Sequence, residues 1–240
     1  MSWLKIFSII FVFQFARYLL ISGSAFFYFW RYRSADFKAK QVQKISFKQK
    51  DILREIKYSL VTSLVFGLVF AIPFHESFSH YTKVYSSVAD FGWAWFFLSL
   101  PVLLLIHDSY FYWMHRLIHH PKLFKRVHGI HHASTNPSPF AAYSFHPTEA
   151  ILELLWVLPV LFFMPVHEYM ILIFSILALI MNVIGHLGVE IFPETWKTHS
   201  VYKWLNSATN HNGHHLHFNG NYGLYFTWWD RWMGTVIKSK

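Results

Sequence analysis

The chain has 240 residues, of which 54% are hydrophobic, 21% aromatic and only 14% charged, with a formal net charge of +9. Together with a positive mean hydropathy, this is the composition of an integral membrane protein, and one domain is the natural count at this length. The absence of cysteine excludes disulfides, zinc–thiolate sites, iron–sulfur clusters and covalently attached c-type haem; in an apolar chain the basic excess is read by position, for membrane orientation, and not as a nucleic-acid surface.

Trp3 to Trp30 is a long apolar stretch, interrupted by Gln14 and Arg17, and is long enough to cross about 30 Å of hydrocarbon. No cleavable signal sequence is expected there, because the apolar stretch is long and lacks a small-residue cleavage site. Arg17, near its middle, either faces a polar pocket in the bundle or snorkels to the interface from a tilted helix. Arg31 to Lys57 holds nine Lys/Arg against Asp36, Asp51 and Glu55, which places this loop in the cytoplasm. Within it Ile45, Ile52, Leu53 and Ile56 form an apolar stripe, the pattern of an interfacial helix.

Tyr58 to Ile72 is a second apolar run, stopped by Pro73, and the loop from Phe74 to Gly92 has Lys83 as its one Lys/Arg, an outside loop by charge. His75 and His80 in it are incidental polar residues. Trp93 to Trp113 returns through the membrane and delivers the chain to His115. Ile151 to Ile184 is apolar and broken at Met164–His167, a helical hairpin that either spans fully or dips in and returns, with both ends on the cytoplasmic side. The carboxy-terminal Lys238–Lys240 is too weak to read as a retrieval signal. Residues 1–240 are expected to form a single membrane domain, with residues 1–92 supplying amino-terminal helices and the basic loop and residues 93–240 the catalytic region.

Three histidine clusters stand out: His115 and His119 in HRLIH; His128, His131 and His132 in HGIHH; and His211, His214 and His215 in HNGHH. Residues three and four apart share a helix face, so each cluster is expected to point one way. Imidazole suits zinc, iron, copper and nickel, and one ion takes three or four protein ligands. Eight histidines therefore call for two ions. A single HxxxH is as readily a pair of helix-surface histidines, but three clusters in one chain leave that reading little room. Charge and hydropathy, read without the histidines, put all three on one side of the membrane.

Around the clusters, Asp108 lies seven residues before His115, on the same helix face, and is a candidate carboxylate to orient a ligand histidine. His146, in HPTE (146–149), is a candidate as ligand or as a donor behind one, and Thr148 or Glu149 as the cap of the following helix. His186 is a further candidate ligand, Asn182 one turn earlier a hydrogen-bonding partner, and Glu190 a supporting carboxylate. His120, His199 and His217 are surface residues. No HExxH, GxGxxG or phosphate-binding loop is present, so a zincin protease is unsupported and electrons must come from outside the chain.

These residues, in this order, resemble the sterol desaturase/fatty acid hydroxylase superfamily of membrane di-iron enzymes. The resemblance rests on HRLIH (115–119), HGIHH (128–132), HPTE (146–149), HNGHH (211–215) and the tail NYGLYFTWWDRWMGT (221–235), and covers roughly residues 100 to 236. It implies an all-α membrane bundle of about four spanning helices or hairpin segments, with a cytosolic helical cap holding a histidine-rich dimetal site. It implies His115, His119, His128, His131, His132, His211, His214 and His215 as iron ligands, with His186 carried over. In some fatty acid 2-hydroxylases another histidine stands one turn earlier, where this chain has Asn182. It also implies two Fe ions, O2, a cytochrome b5-like or ferredoxin-like electron donor, and hydroxylation or desaturation of a lipid, whether sterol, fatty acyl or related. Zinc can replace iron at such sites during purification. The competing expectation is a non-oxidative zinc-dependent membrane hydrolase or metal carrier. Aromatic residues Phe111, Tyr112 and Trp113 are expected to wall a lipid path or simply to pack and anchor their helix.

Overall fold

The computed structural model describes residues 1–42, 46–197 and 199–237. Ile45 of the expected apolar stripe and Lys238–Lys240 lie outside them. The described residues form eleven α-helices. The first three are α1 (Trp3–Phe27, prolonged by a wider turn to Tyr32), α2 (Ser34–Phe37) and α3 (Gln49–Phe74). Next come α4 (Glu76–Ser79), α5 (Gly92–Ile118) and α6 (Pro121–Val127). The hairpin comprises α7 (Pro147–Leu154), α8 (Val157–Phe163) and α9 (Glu168–Gly185). α10 (Ala208–His217) and α11 (Trp228–Trp232) close the series. Four segments are long and apolar enough to cross a membrane: Trp3–Tyr32, Gln49–Phe74, Gly92–Ile118 and Glu168–Gly185.

α1 packs along α3, and α5 along α9. On α1 the rings of Phe7, Phe11, Phe15 and Tyr18 stack in succession, the row that spacings of three and four residues produce on one helix face. Gly67 of α3 lets this row approach, since a Cβ there would lie 3.1 Å from Phe11 Cβ. The turn Pro139–Tyr143 wedges between α1, α3 and α9. It brings Tyr143 and nearby Phe145 into a core with Tyr18, Phe66, Trp156 and Phe174.

The basic loop does not carry a separate interfacial helix around Ile52, Leu53 and Ile56. These residues are the opening turns of α3, which runs unbroken from Gln49 because no proline or glycine intervenes before Gly67.

The turn of the hairpin reaches the level of the loop before α5. It supplies strand β2 (Val166–His167), which pairs in parallel with β1 (Val84–Tyr85) in that loop. Trp95 at the start of α5 donates to the Pro165 carbonyl at 2.9 Å. The outward limb is broken at Leu155–Trp156 into α7 and α8, and α9 alone is a full-length span. Pro159 explains the break, since its ring clashes with the carbonyl four residues back, that of Leu155. His167 accepts from the Tyr169 N–H and caps α9. At the opposite end of the bundle α1, α5 and α9 finish and α3 and α7 begin, and the histidines gather there.

Candidate metal centre

Nine buried or half-buried histidines form two groups. His115, His119, His128, His132 and His214 make one; His131, His186, His211 and His215 make the other. Within each group one ring nitrogen per residue lies within 4.8 Å of all the others. The groups adjoin, with the His132 and His215 rings 4.6 Å apart and those of His128 and His131 5.1 Å apart.

The partition follows the i, i+4 spacing and splits neighbours. His115 with His119, His128 with His132, and His211 with His215 each stay together. His131 and His214 depart to the opposite group from their clusters. The three histidines of HGIHH therefore do not point one way: His131 and His132 open a short 3-10 turn, and adjacent side chains on such a turn diverge by about a third of a revolution. On α10, His214 stands about 100° from His215 and about 60° from His211 around the helix axis, at the edge of their face toward the other group.

Carbonyl oxygens fix several rings. His115 Nδ1 donates to the Tyr222 carbonyl at 2.9 Å, His214 Nδ1 to that of Gly220 at 2.7 Å, and His186 Nδ1 to that of Asn182 at 2.7 Å. His128 Nδ1 meets Glu149 Oε1 at 2.5 Å. An oxygen that only accepts requires the proton on Nδ1, which leaves the lone pair on Nε2. Those Nε2 atoms face one another: 3.0 Å for His115 and His128, 3.0 Å for His132 and His214, and 3.0 Å for His186 and His211. Where a carbonyl holds the Nδ1 proton, as at His115, His186 and His214, the Nε2 lone pair points into its own group, the direction a bound cation needs. Two nitrogens each about 2.1 Å from one ion are separated by about 3.0–3.4 Å at tetrahedral or octahedral angles, so both groups fit a metal.

Burial first, and the neighbouring imidazoles second, hold His128, His131, His132, His211, His214 and His215 well below the ordinary histidine range. Burial takes His119 to about 2 and His186 to about 4. The rings are neutral, the form in which imidazole binds metal.

Other expected site residues take different places. Asp108 touches no histidine. Its Oδ1 accepts the N–H groups of Tyr225 at 2.8 Å and Phe226 at 3.2 Å, and its Oδ2 accepts Trp228 Nε1 at 2.6 Å. It clamps the carboxy-terminal segment to α5 because three donors converge on one buried carboxylate. His146 stays outside both groups and caps α7, accepting the Thr148 N–H at 3.2 Å; the cap is neither Thr148 nor Glu149. Glu149 instead orients His128. Asn182 serves His186 through its backbone carbonyl, while its side chain donates to the Ala142 carbonyl at 2.7 Å. Glu190 accepts the Thr209 N–H at 3.1 Å and so steadies the start of α10. His120, His199 and His217 are exposed.

Sequence reasoning missed the carbonyls of Gly220 and Tyr222, because backbone groups leave no mark in residue type. The signal lay in the Asp230 carboxylate seven residues beyond Gly223. It accepts the N–H of Tyr222 at 2.9 Å and of Gly223 at 2.8 Å, and the hydroxyl of Thr235 at 2.7 Å. That folds the segment so that Tyr222 O faces His115. Gly223 is required in the fold, since a Cβ would fall 2.2 Å from the Phe226 carbonyl.

Below the histidines a small cavity of about 70 Å³ opens among α1, α3, α5, α7 and α9. Phe111, Phe145, Trp156 and Leu224 are among its walls. The Phe145 ring lies 5.2 Å from His131 and the Phe111 ring 5.0 Å from His115. Of the three aromatics in the FYW run, Phe111 lines the cavity, Tyr112 is buried against Thr235, and Trp113 is exposed.

Fold and site together define an integral membrane helical bundle that carries two adjoining all-histidine groups at one end. The fatty acid hydroxylase family model matches residues 100–235, and the chain belongs to that family, within the sterol desaturase/fatty acid hydroxylase superfamily. It is 30% identical over 155 residues to the Delta(7)-sterol 5(6)-desaturase ERG3B of Gibberella zeae, covering 65% of this chain and 46% of that protein. It is 30% identical over 191 residues to lathosterol oxidase of Mus musculus, covering 79% and 62%. It is 31% identical over 159 residues to the Delta(7)-sterol 5(6)-desaturase erg31 of Schizosaccharomyces pombe, covering 66% and 50%. The matched region thus spans between about half and two thirds of these relatives. No solved structure matches the chain.

Proposed function

We propose that this protein is a membrane-bound di-iron oxygenase that hydroxylates or desaturates a lipid with O2 and electrons from an external donor. The observation that carries the reading is the pair of histidine groups with convergent Nε2 lone pairs, set directly above an apolar cavity in the membrane-spanning bundle. In this reading His115, His119, His128, His132 and His214 hold one ion and His131, His186, His211 and His215 the other. Relatives named for sterol desaturation and lathosterol oxidation support a lipid substrate and disfavour the hydrolase and carrier alternatives. The eight described Lys/Arg of Arg31–Lys57 lie at the histidine end and support a cytoplasmic location for it, within reach of a soluble or membrane-anchored cytochrome b5-like or ferredoxin-like donor.

An unactivated C–H bond offers no acid–base handle. When bound, the two irons would supply the oxidising power drawn from O2 that such a bond requires. Hydroxylation consumes one O2, two electrons and two protons, placing one oxygen on carbon and releasing one water. Desaturation consumes the same and releases two waters, as two hydrogens leave adjacent carbons. The protein's own part is orientation and exclusion. Tyr222, Gly220 and Asn182 hold their rings in the ligating tautomer and Glu149 orients His128, while Phe111 and Phe145 separate the histidines from the cavity with hydrocarbon.

The test is a comparison of lipid extracts from cells making the intact chain or His131→Ala, aerated and supplied with iron and a competent donor. A lipid that gains one oxygen with the intact chain alone identifies a hydroxylase, and one that loses two hydrogens a desaturase. Identical spectra from both, in the presence of lipids from the native organism, overturn the oxygenase reading. Zinc in purified protein does not decide the matter, because zinc binds such nitrogen sites more tightly than ferrous iron.

A further inference from the structure

Arg17 is buried in the middle of α1 at 8% exposure and lines the cavity below the histidines. Of the two readings the sequence leaves open, the structure selects the bundle-facing one. Burying a cation in hydrocarbon is costly unless it is paired. Among the described residues no carboxylate lies within 4.0 Å of this guanidinium. Its partners are neutral: Ser175 Oγ at 2.5 Å, Tyr143 OH at 3.0 Å, and the Gln14 side-chain oxygen. Phe13 covers one face, 5.4 Å from ring centroid to guanidinium carbon. A guanidinium has five N–H donors. Three are used here, and Nε is buried without a partner. Glu153 lines the same cavity but does not reach the arginine.

The rest of the cavity wall is mostly aromatic and aliphatic, with His107, Glu153 and Asn182 as further polar groups, and Phe111 and Phe145 stand between it and the histidine groups. Ser175, which marks the level of the guanidinium, precedes His186 on and beyond α9 by eleven residues, about 16 Å along the helix axis. Arg17 is thus the one Lys/Arg among the described residues of the cavity wall, set apart from the histidine end by a distance of that order.

We propose that Arg17 is a specificity residue that selects a lipid carrying an acceptor oxygen on an otherwise apolar body. The oxygen takes the spare N–H groups of Arg17, and the apolar body lies along the Phe66, Trp156 and Phe174 wall of the cavity, on the side of Phe111 and Phe145 away from the histidines. This deepens the oxygenase reading and rests on it for the lipid being a substrate; the binding preference itself does not. The acceptor chemistry is shared by a carboxylate and a hydroxyl. A pure hydrocarbon lacks it and would leave the cation uncompensated.

The experiment measures equilibrium binding of deuterated probes to the purified, metal-loaded full chain in nanodiscs, read by mass spectrometry. The probes are palmitate, hexadecan-1-ol and cholestanol, each against its parent hydrocarbon, hexadecane or cholestane. The intact chain is expected to favour at least one oxygenated probe over its parent by tenfold or more. Arg17→Met is expected to erase that ratio, and Arg17→Lys to restore part of it, with metal content and melting temperature unchanged. A preference for palmitate alone assigns an acid, and one for the alcohols a hydroxyl. No preference in the intact chain, or a preference that survives Arg17→Met, overturns the proposal. The ratio in the intact chain is a test by itself, so misfolding of Arg17→Met does not protect the idea. A preserved preference without any O2-dependent turnover would sink the oxygenase reading and leave this one standing.

Discussion

Glu149 and His128 meet at 2.5 Å with both side chains buried. Burial, and Glu153 beyond it, hold the Glu149 carboxyl well above its ordinary range, while burial holds His128 well below. The contact is thus a short hydrogen bond between two neutral groups that fixes the orientation of the ring. Glu149→Leu removes this partner and frees the ring to turn. Metal affinity of the five-histidine group is expected to fall by about 10- to 100-fold, with the four-histidine group little changed. Competition with a graded series of chelators measures both.

The two-group partition makes a sharper statement about stoichiometry. The intact chain is expected to hold two ions. His214→Ala and His211→Ala, three residues apart on α10, are each expected to lose one, and from different groups. Metal analysis of the single variants and of the double variant distinguishes this from a single shared site. In that case either substitution alone would empty the protein, or neither would.

The spans and the histidine-rich end were legible because apolar runs and i, i+4 spacing depend on residue type. His115, His119, His128, His132, His211 and His215 pair as that spacing requires. The assignment of His131 and His214 was not legible, because it depends on the direction of a 3-10 turn and on which neighbour α10 meets. Asp108 misled for a related reason. Its place one face along from His115 is real, but its partners are Tyr225, Phe226 and Trp228, more than a hundred residues away. In Ile151 to Ile184 the break at Met164–His167 was legible, and the one at Leu155–Trp156 was passed over although Pro159 is a local signal for it. Glu149 was singled out, but as a helix cap, and only the packing of α7 under His128 reveals its task.

Asp108 carries a stability prediction. Asp108→Ala leaves the N–H groups of Tyr225, Phe226 and Trp228 without their acceptor in a dry interior, at about 1–3 kcal/mol each. The variant is expected to melt well below the intact chain and to exchange its amide hydrogens rapidly across residues 221–228. Unchanged exchange there would mean that Asp230 alone holds the segment.

The histidines make the metal-free protein acid-sensitive. In the unfolded chain they take up protons near pH 6.5. In the folded chain burial keeps His119 neutral to about 2 and His186 to about 4, with the others also well depressed. The unfolded state binds more protons below pH 6.5, so stability is complete above that value and declines as pH falls toward the folded values. The melting temperature of the metal-free chain in detergent is expected to be flat from pH 8 to 7 and to drop steeply from 6.5 to 5. A flat profile would mean that the rings are hydrated and not buried.

The carbonyls of Gly220 and Tyr222 belong to a segment that contributes no ligand, yet they set the tautomers of His214 and His115. A ribosome has synthesised all four membrane spans and every histidine of both groups before it reaches Tyr222. Until that point His115 has no acceptor for its Nδ1 proton, and its lone pair is not committed to the centre. Metal loading is therefore expected to follow synthesis of the Asp230-folded tail, which supplies the acceptors for the Nδ1 protons of His115 and His214.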